Sequence, residues 1–448
     1  MKIIFYGGAN SVTGSNYYLE NAETRVLVDC GLHQGSNFAE RRNFEPLPYD
    51  AKKIDAVFIT HSHIDHIGLL PKLLRDGFRG KIYSTKPTKD FAELMLLDSE
   101  HILGEEAKKW KKPALYGAED VSKVMAVWVG VEYHAPVEVG DLSAEFFDAG
   151  HILGSAFIRI SGSGKSVVFS GDLGNYPAPI IKSTEKIPEA DYCLIESTYG
   201  DRVHEGAESR LEQLEDAIED INRSKGVLLI PAFAMERTQQ LLYELNELVE
   251  NGRVPKIPVY IDSPLAIKLT SVYKKYRNYF NEEAAGLIRG GDDILDFKGL
   301  HLTLTTDQSK EINNVHPPKV VVAGSGMSHG GRILHHERRY LPDPNSMVLF
   351  IGYQGSGSLG RMILDGAREV KIMGESIPVR ARVRRISAYS AHADQPRLLE
   401  WLKPARQVLK NVFVVQGESG SSEALAQKIN DELAIQTTIP SQGQECEL

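Results

Sequence analysis

Along the first two hundred positions, short apolar runs alternate with clusters of glycine, asparagine and proline. This pattern predicts strands at 3–6, 16–20, 25–30, 56–60, 81–84, 167–170 and 192–196. Helical periodicity interrupts them near 66–76 and 88–110. From about Glu205 the rhythm lengthens: a charged helix near 207–223, a strand at 226–230, a helix at 236–250, a strand at 259–261 and a helix at 264–277. Strand, crossover helix, strand is the signature of a parallel α/β sheet. The stretch 284–318, with Gly290-Gly291, Asp292-Asp293 and Pro317-Pro318, reads as loop-rich and ends before a strand at 319–323. After about 378 short strands return, with helices near 395–402 and 422–434. The expected organisation is therefore one domain, residues 1–204 and 379–448, interrupted by an inserted α/β domain at 205–378.

A chain of 448 residues can bury large cores without covalent staples. With 51 Lys and Arg against 60 Asp and Glu the net charge is −9, so no global basic field attracts a polyanion and any nucleic-acid site must be locally basic. Cys30, Cys193 and Cys446 form no CxxC and no disulfide framework. The amino-terminal apolar run is too short for a signal peptide and no run approaches a membrane span, which points to a cytoplasmic protein with no membrane partner.

The densest chemistry is Thr60-His61-Ser62-His63-Ile64-Asp65-His66, between an apolar strand and a helical run. Three imidazoles and a carboxylate crowded into one loop are the donors Zn²⁺ prefers. In extended chain His61 and His63 face the same way and can share one ion. Asp65 and His66, at the turn into the helix, then point to a neighbouring position.

Two later strand ends add donors, Ala149-Gly150-His151 and Ser170-Gly171-Asp172, each with a glycine that would let backbone approach an ion. His151 would complete the imidazole trio, and Asp172 could bridge two ions. Asp29, at another strand end, could orient a metal-bound imidazole or the attacking water. Taken singly, each is more often a turn or core residue than a ligand; the joint pattern makes the site.

Asp29-Cys-Gly, His61-Ser-His-Ile-Asp-His66, His151 and Asp172 resemble the metal-binding motifs of the metallo-β-lactamase fold. Glu196-Ser-Thr-Tyr-Gly-Asp-Arg202 and Ser390-Ala-His-Ala-Asp394 resemble the extra motifs of its β-CASP branch, nucleic-acid-processing enzymes that include ribonuclease J and the pre-mRNA 3′-end cleavage nuclease. Residues 231–239, 262–266, 323–327 and 330–336 extend the likeness through the insert. The resemblance implies an α/β protein: a metallo-β-lactamase αββα sandwich carrying an inserted β-CASP domain with a parallel sheet. It implies a zinc-dependent ribonuclease using a metal-activated water, with single-stranded RNA in the cleft between the two domains. His61, His63, Asp65, His66, His151 and Asp172 would be the metal ligands. Asp65 and Asp29 would also serve catalysis, and His392, with Glu196 hydrogen-bonded to it, would be the general acid. A homodimer is compatible with the sequence.

One position departs from the family pattern. Where a valine-histidine-glycine-glutamate strand end supplies a ligand to the second zinc, this chain has Val415-Gln416-Gly417-Glu418. A neutral amide is a poor zinc donor, so one ion is expected to be held firmly and the second weakly. A non-catalytic RNA-binding relative is the alternative this opens; a hydrolase of small esters or lactams is a third, disfavoured by the inserted domain.

In the insert, Ser325, Gly326 and Arg332 read as a phosphate cradle before a helix starting near Gly331. Lys108, Lys109, Lys111, Lys112, Arg382, Arg384 and Arg385 could add local positive potential. Gly326-Met-Ser328-His-Gly330 matches the GxSxG elbow of serine hydrolases but leaves the histidine cluster unexplained. Gly162-Ser-Gly-Lys-Ser166 imitates the end of a P-loop, yet it has Arg159 where glycine is needed and a strand after it, so it reads as a hairpin turn.

Overall fold

The computed structural model describes the chain except Ser36, Lys112, residues 205–208, Tyr353 and Ser356, and except the side chains of Asn37, Phe38, Glu106, Lys109 and Trp110. The described chain forms two compact units: Met1–Ala178 with Lys182–Val203 and Ala391–Leu448, and Pro179–Ile181 with His204–Ser390. Among the described residues no helix is long and apolar enough to cross a membrane.

The first unit contains two seven-stranded sheets. One runs in spatial order Glu445–Glu447, Lys2–Phe5, Tyr17–Asn21, Thr24–Val28, Ala56–Phe58, Lys81–Thr85, Trp128–Val131. The other runs Thr437–Thr438, Asn411–Val415, Tyr192–Glu196, Lys165–Phe169, Ala156–Gly162, Leu142–Asp148, Val137–Val139. Period-two alternation decides the layering. Val26, Val28 and Phe58 share a buried cluster with Phe146, Val167, Phe169, Phe413 and Val415 between the sheets. Their neighbours in sequence face the other way: Leu27, Val57 and Ile59 pack with Leu70, Leu73, Ala92, Leu96 and Val124 of the helices Leu70–Arg75, Lys86–Trp110 and Ala118–Val127. On the opposite side Val168, Cys193, Ile195, Val412 and Val414 pack with Leu398, Leu402, Leu425 and Ala426 of Gln395–Leu402 and Ser419–Lys428. The result is an αββα sandwich. Gly162 and Lys165 pair across an antiparallel hairpin, so the P-loop-like string is a turn.

The second unit is built on a six-stranded sheet of order Leu300–Leu302, Val259–Asp262, Lys319–Ala323, Val227–Pro231, Met347–Phe350, Arg382–Arg385. Every pairing in it is parallel. Strands such as Val227–Pro231 and Lys319–Ala323 are buried at every position, as a sheet covered on both faces requires.

Two features differ from the sequence reading. The strand Arg382–Arg385 pairs with Met347–Phe350, and the second compact unit runs on to Ser390, beyond the boundary expected near 378. With two of its four residues exposed, Arg382–Arg385 gives no hydrophobic signal of a strand. The loop-rich stretch 284–318 also carries short elements the sequence reading did not specify. It holds the helix Glu282–Arg289, capped by Asn281, and the strand Leu300–Leu302. The helix Thr306–Glu311, capped reciprocally by Thr305 and Gln308, follows.

Candidate metal centre

The chemistry-bearing side chains of the first unit stand at the carboxyl ends of its strands: Asp29 after Thr24–Val28, His61 to His66 after Ala56–Phe58, His151 after Leu142–Asp148, Asp172 after Lys165–Phe169 and Gln416 after Asn411–Val415. Strand ends free backbone from the ladder while the sheets hold its direction, which makes them the usual seat of a site in α/β proteins. Glycines at 150 and 171 permit a close approach of loops. Gly150 has φ +61° and Gly171 φ +52°; an added Cβ would lie 2.5 Å from Thr184 N and 2.7 Å from Thr60 Cβ respectively. The loops also bond to one another: Gly174 N to Ala149 O, Asn175 N to Ala391 O and Ala393 N to Leu173 O, each at 2.8 Å.

Four donors converge. One ring nitrogen each of His61, His63 and His151 and one carboxylate oxygen of Asp172 all lie within 4.8 Å of one another. His61 Nε2 is 2.9 Å and His151 Nε2 3.3 Å from His63 Nδ1; Asp172 Oδ2 is 3.3 Å from His61 Nε2 and 3.5 Å from His151 Nε2. Burial, reinforced by neighbouring imidazoles, pushes His63 and His151 well below the ordinary histidine range, so they present lone pairs. Asp172 is held well below the carboxylate range: burial opposes its charge, and the imidazoles of His66, His61 and His392 outweigh that. Buried nitrogen lone pairs and a carboxylate pointed at one centre are costly without a cation, and three imidazoles with one carboxylate suit Zn²⁺. The donor set fits the metal.

Beyond Asp172 lies a second pocket. Its other oxygen, Oδ1, is 3.4 Å from His66 Nε2, and Asp65 Oδ2 is 3.9 Å from that same nitrogen. Asp65 therefore flanks this second position and is not one of the four converging donors. Burial lifts its carboxyl above the usual range. Asp29 touches neither pocket's centre. It binds His66 Nδ1 at 2.7 Å and accepts from Thr60 N at 2.9 Å and from Ser15 Oγ at 3.2 Å, so it orients an imidazole. Gln416 points into the second pocket, with Nε2 2.9 Å from Asp172 Oδ1.

His392 sits beside the first pocket. Its Nδ1 is 3.1 Å from Glu196 Oε2 and 3.9 Å from Asp172 Oδ2. Burial disfavours its charge, but Glu196 and then Asp172 overcome this and lift it to about 9. Glu196 is steadied by Leu173 N, 2.6 Å from Oε1. Residues without a local sequence signal complete the frame. Thr60 Oγ1 donates to Asp29 Oδ2 at 2.9 Å and lies 3.1 Å from His61 Nδ1, and Tyr17 Oη donates to Gln416 Oε1 at 3.4 Å. Adjacency to His61 at a strand end could have marked Thr60; nothing in its neighbourhood marks Tyr17.

In the second unit the expected phosphate cradle is engaged internally. Arg332 Nη1 donates to Asp262 Oδ1 at 2.7 Å and to Thr303 O at 2.9 Å, and Nη2 donates to Leu304 O at 3.1 Å. Ser325 Oγ accepts from His329 N at 2.9 Å, Gly326 O accepts from Gln354 Nε2 at 2.8 Å, and the helix starts at Ile333, later than expected. Arg332 thus serves first as a strut on Asp262. Ser328, the serine of the GxSxG match, is buried and donates to Glu337 Oε1 at 2.6 Å, which is no nucleophile's setting. Of the basic residues, Lys108 pairs with Glu105, while Arg382 and Arg384 pair with Asp220. Lys112 and the side chain of Lys109 lie outside the described residues.

The chain matches the Metallo-beta-lactamase superfamily over residues 10–231, the Beta-Casp domain over 238–363 and the Zn-dependent metallo-hydrolase RNA specificity domain over 376–440. It is 39% identical to Ribonuclease TTHA0252 of Thermus thermophilus, covering 95% of each chain. It is 31% identical to an RNase J-like protein of Methanocaldococcus jannaschii, covering 98% of each. A transcription termination factor FttA of Methanosarcina mazei is 29% identical over 98% of this chain and 70% of that one. A crystal structure of a protein of unknown function from Enterococcus faecalis V583 superposes with TM-score 0.58 at 12% identity, covering 100% of this chain and 99% of that one, a likeness of fold.

Proposed function

We propose that this chain, which belongs to the β-CASP branch of the metallo-β-lactamase superfamily, is a metal-dependent hydrolase that cuts single-stranded RNA with zinc as its metal. The observation that carries the reading is the convergence of His61, His63, His151 and Asp172 beside the His392–Glu196 pair. When bound there, zinc supplies a nucleophile at neutral pH and relieves charge on phosphoryl oxygens.

The chain's own residues supply the rest. His61, His63, His151 and Asp172 would hold the ion. Thr60 bridges Asp29 to the back of His61, fixing that ring's direction. Ala391 O lies 3.4 Å from His151 Nδ1 and favours a proton there, which leaves Nε2 for the metal. His392 keeps one proton on Nδ1 toward Glu196, whose charge favours the protonated imidazole, and offers the other, on Nε2, to the leaving oxygen.

Gln416 favours a second reading, a relative that binds RNA and does not cut it. End-labelled single-stranded RNA incubated with zinc-loaded protein separates the two. Shortened products that vanish on chelation are expected, and their lengths distinguish endonuclease from exonuclease. Binding without any shortening would establish the second reading, and cleavage undiminished by chelation would overturn the metal's role.

A further inference from the structure

Asp172 is the only carboxylate that reaches both pockets among the described residues, and its two oxygens have different company. Oδ2 faces the imidazoles of His61 and His151. Oδ1 accepts a hydrogen bond of 2.9 Å from Gln416 Nε2, and that same nitrogen lies 3.2 Å from His66 Nε2. An ion shared by Asp172 Oδ1 and His66 Nε2 would have to sit where the amide nitrogen now is. We infer that the Gln416 amide takes the place of the second cation, so that this chain is a one-metal member of a two-metal family. The inference rests on the proposed metal centre.

An amide nitrogen cannot serve as a ligand, because its lone pair is delocalised into the carbonyl. To admit an ion the side chain would have to turn its oxygen inward, breaking the bond to Asp172 and the bond in which Tyr17 Oη donates to Oε1. The backbone gives it no slack. Gln416 N donates to Gly8 O at 2.6 Å, and Gln416 O accepts from Thr198 Oγ1 at 3.1 Å and Ser197 N at 3.4 Å. Gly8 leaves the room this requires: a Cβ there would lie 2.4 Å from Tyr17 Oη and 3.2 Å from Gln416 Cγ. The residue is buried, so water does not compete for its donors. In chemical terms the two amide hydrogens offer partial positive charge where the family pattern has a dication, without the charge needed to activate water.

Cobalt(II) titration of the metal-free full-length protein, followed by visible absorption and by elemental analysis after dialysis, tests this without reference to activity. The parent should saturate at one equivalent, any second equivalent binding at least about tenfold more weakly. Gln416→His should saturate at two, because imidazole replaces an amide at the same strand end. Two equivalents of comparable affinity in the parent would overturn the inference. So would one equivalent in a Gln416→His protein whose circular dichroism matches the parent. A parent that takes up no ion would instead overturn the metal centre itself and this inference with it. The parent measurement stands alone if the variant does not fold.

Discussion

The two pockets around Asp172 are separated by the width of one carboxylate and differ in kind. On the Oδ2 side, three imidazoles and a carboxylate oxygen crowd one point and face chiefly one another. On the Oδ1 side, donors and acceptors are already matched to each other: the Gln416 amide to Asp172, the Tyr17 hydroxyl to Gln416, and Asp29 to His66. Neutral imidazole lone pairs crowded on one point with a carboxylate favour a cation, whereas amide and hydroxyl donors already matched to acceptors resist one. A binding site is thus recognised less by how many ligating residue types it contains than by whether their lone pairs remain uncommitted. His66, Asp65 and Asp172 would pass a residue count, yet the bonding around Asp172 Oδ1 speaks against an ion there.

The largest effect should come from the uncommitted side. His63→Ala removes one of three imidazoles, so the bound ion and RNA cleavage should both fall to background, checked by elemental analysis and a cleavage assay. Retention of a full equivalent would erase the contrast between the pockets. Next, His392→Ala should slow cleavage by roughly 10² to 10⁴-fold, the range for loss of a general acid, while ion content stays at the parental value. A parallel loss of metal would make His392 a ligand and enlarge the first pocket.

A third test extends the contrast to a buried carboxylate without charged company. Glu337 in the six-stranded unit has the Ser328 hydroxyl on Oε1 and no hydrogen-bond partner on Oε2. Burial pushes it up to about 7, the opposite of Asp172. Its folded-state value lies above the unfolded one near 4.5, so the native state holds the proton more tightly. The stability this contributes is full below about pH 4.5 and is lost as pH rises toward 7. Glu337→Gln should therefore flatten the stability profile across that window and gain about 1 to 3 kcal/mol at pH 8, read from urea unfolding at several pH values. An unchanged profile would mean that Glu337 is ionised in the fold. The smallest effect belongs to Tyr17→Phe, which deletes a long hydrogen bond worth about 0.5 to 1 kcal/mol. Freed of it, Gln416 should turn its oxygen inward more easily, strengthening the second cobalt equivalent by a few-fold at most.

Much of the first pocket was legible in the chain because its chemistry is locally concentrated. His61 and His63 share one loop, and the apolar strand before them announces a strand end. Glycines beside His151 and Asp172 flagged their loops, and the space they leave is filled by Thr184 and Thr60. The second pocket's bonding was not legible. Gln416 stood out as a departure from the family pattern, but Tyr17, 399 positions away, is an ordinary strand tyrosine until the sheets bring it to the amide. That the strand Arg382–Arg385 belongs to the insert's sheet was not legible for a similar reason. Its arginines look like surface, and only pairing with Met347–Phe350 on one side and ion pairs to Asp220 make them part of a sheet.

By itself the sequence determined the alternation that sorts Val26, Val28 and Phe58 from Leu27, Val57 and Ile59, hence the layers, and it determined which donors are available to a metal. Those are properties of neighbours along the chain, where period and residue type suffice. Tertiary structure alone decided which donors remain free. Whether an oxygen of Asp172 faces two imidazoles or an amide depends on where separate strand ends, from opposite termini of the chain, come to rest. Hydrogen bonding is short-ranged, so a lone pair's availability to a cation is settled within about 3 Å, a distance at which sequence separation carries no information.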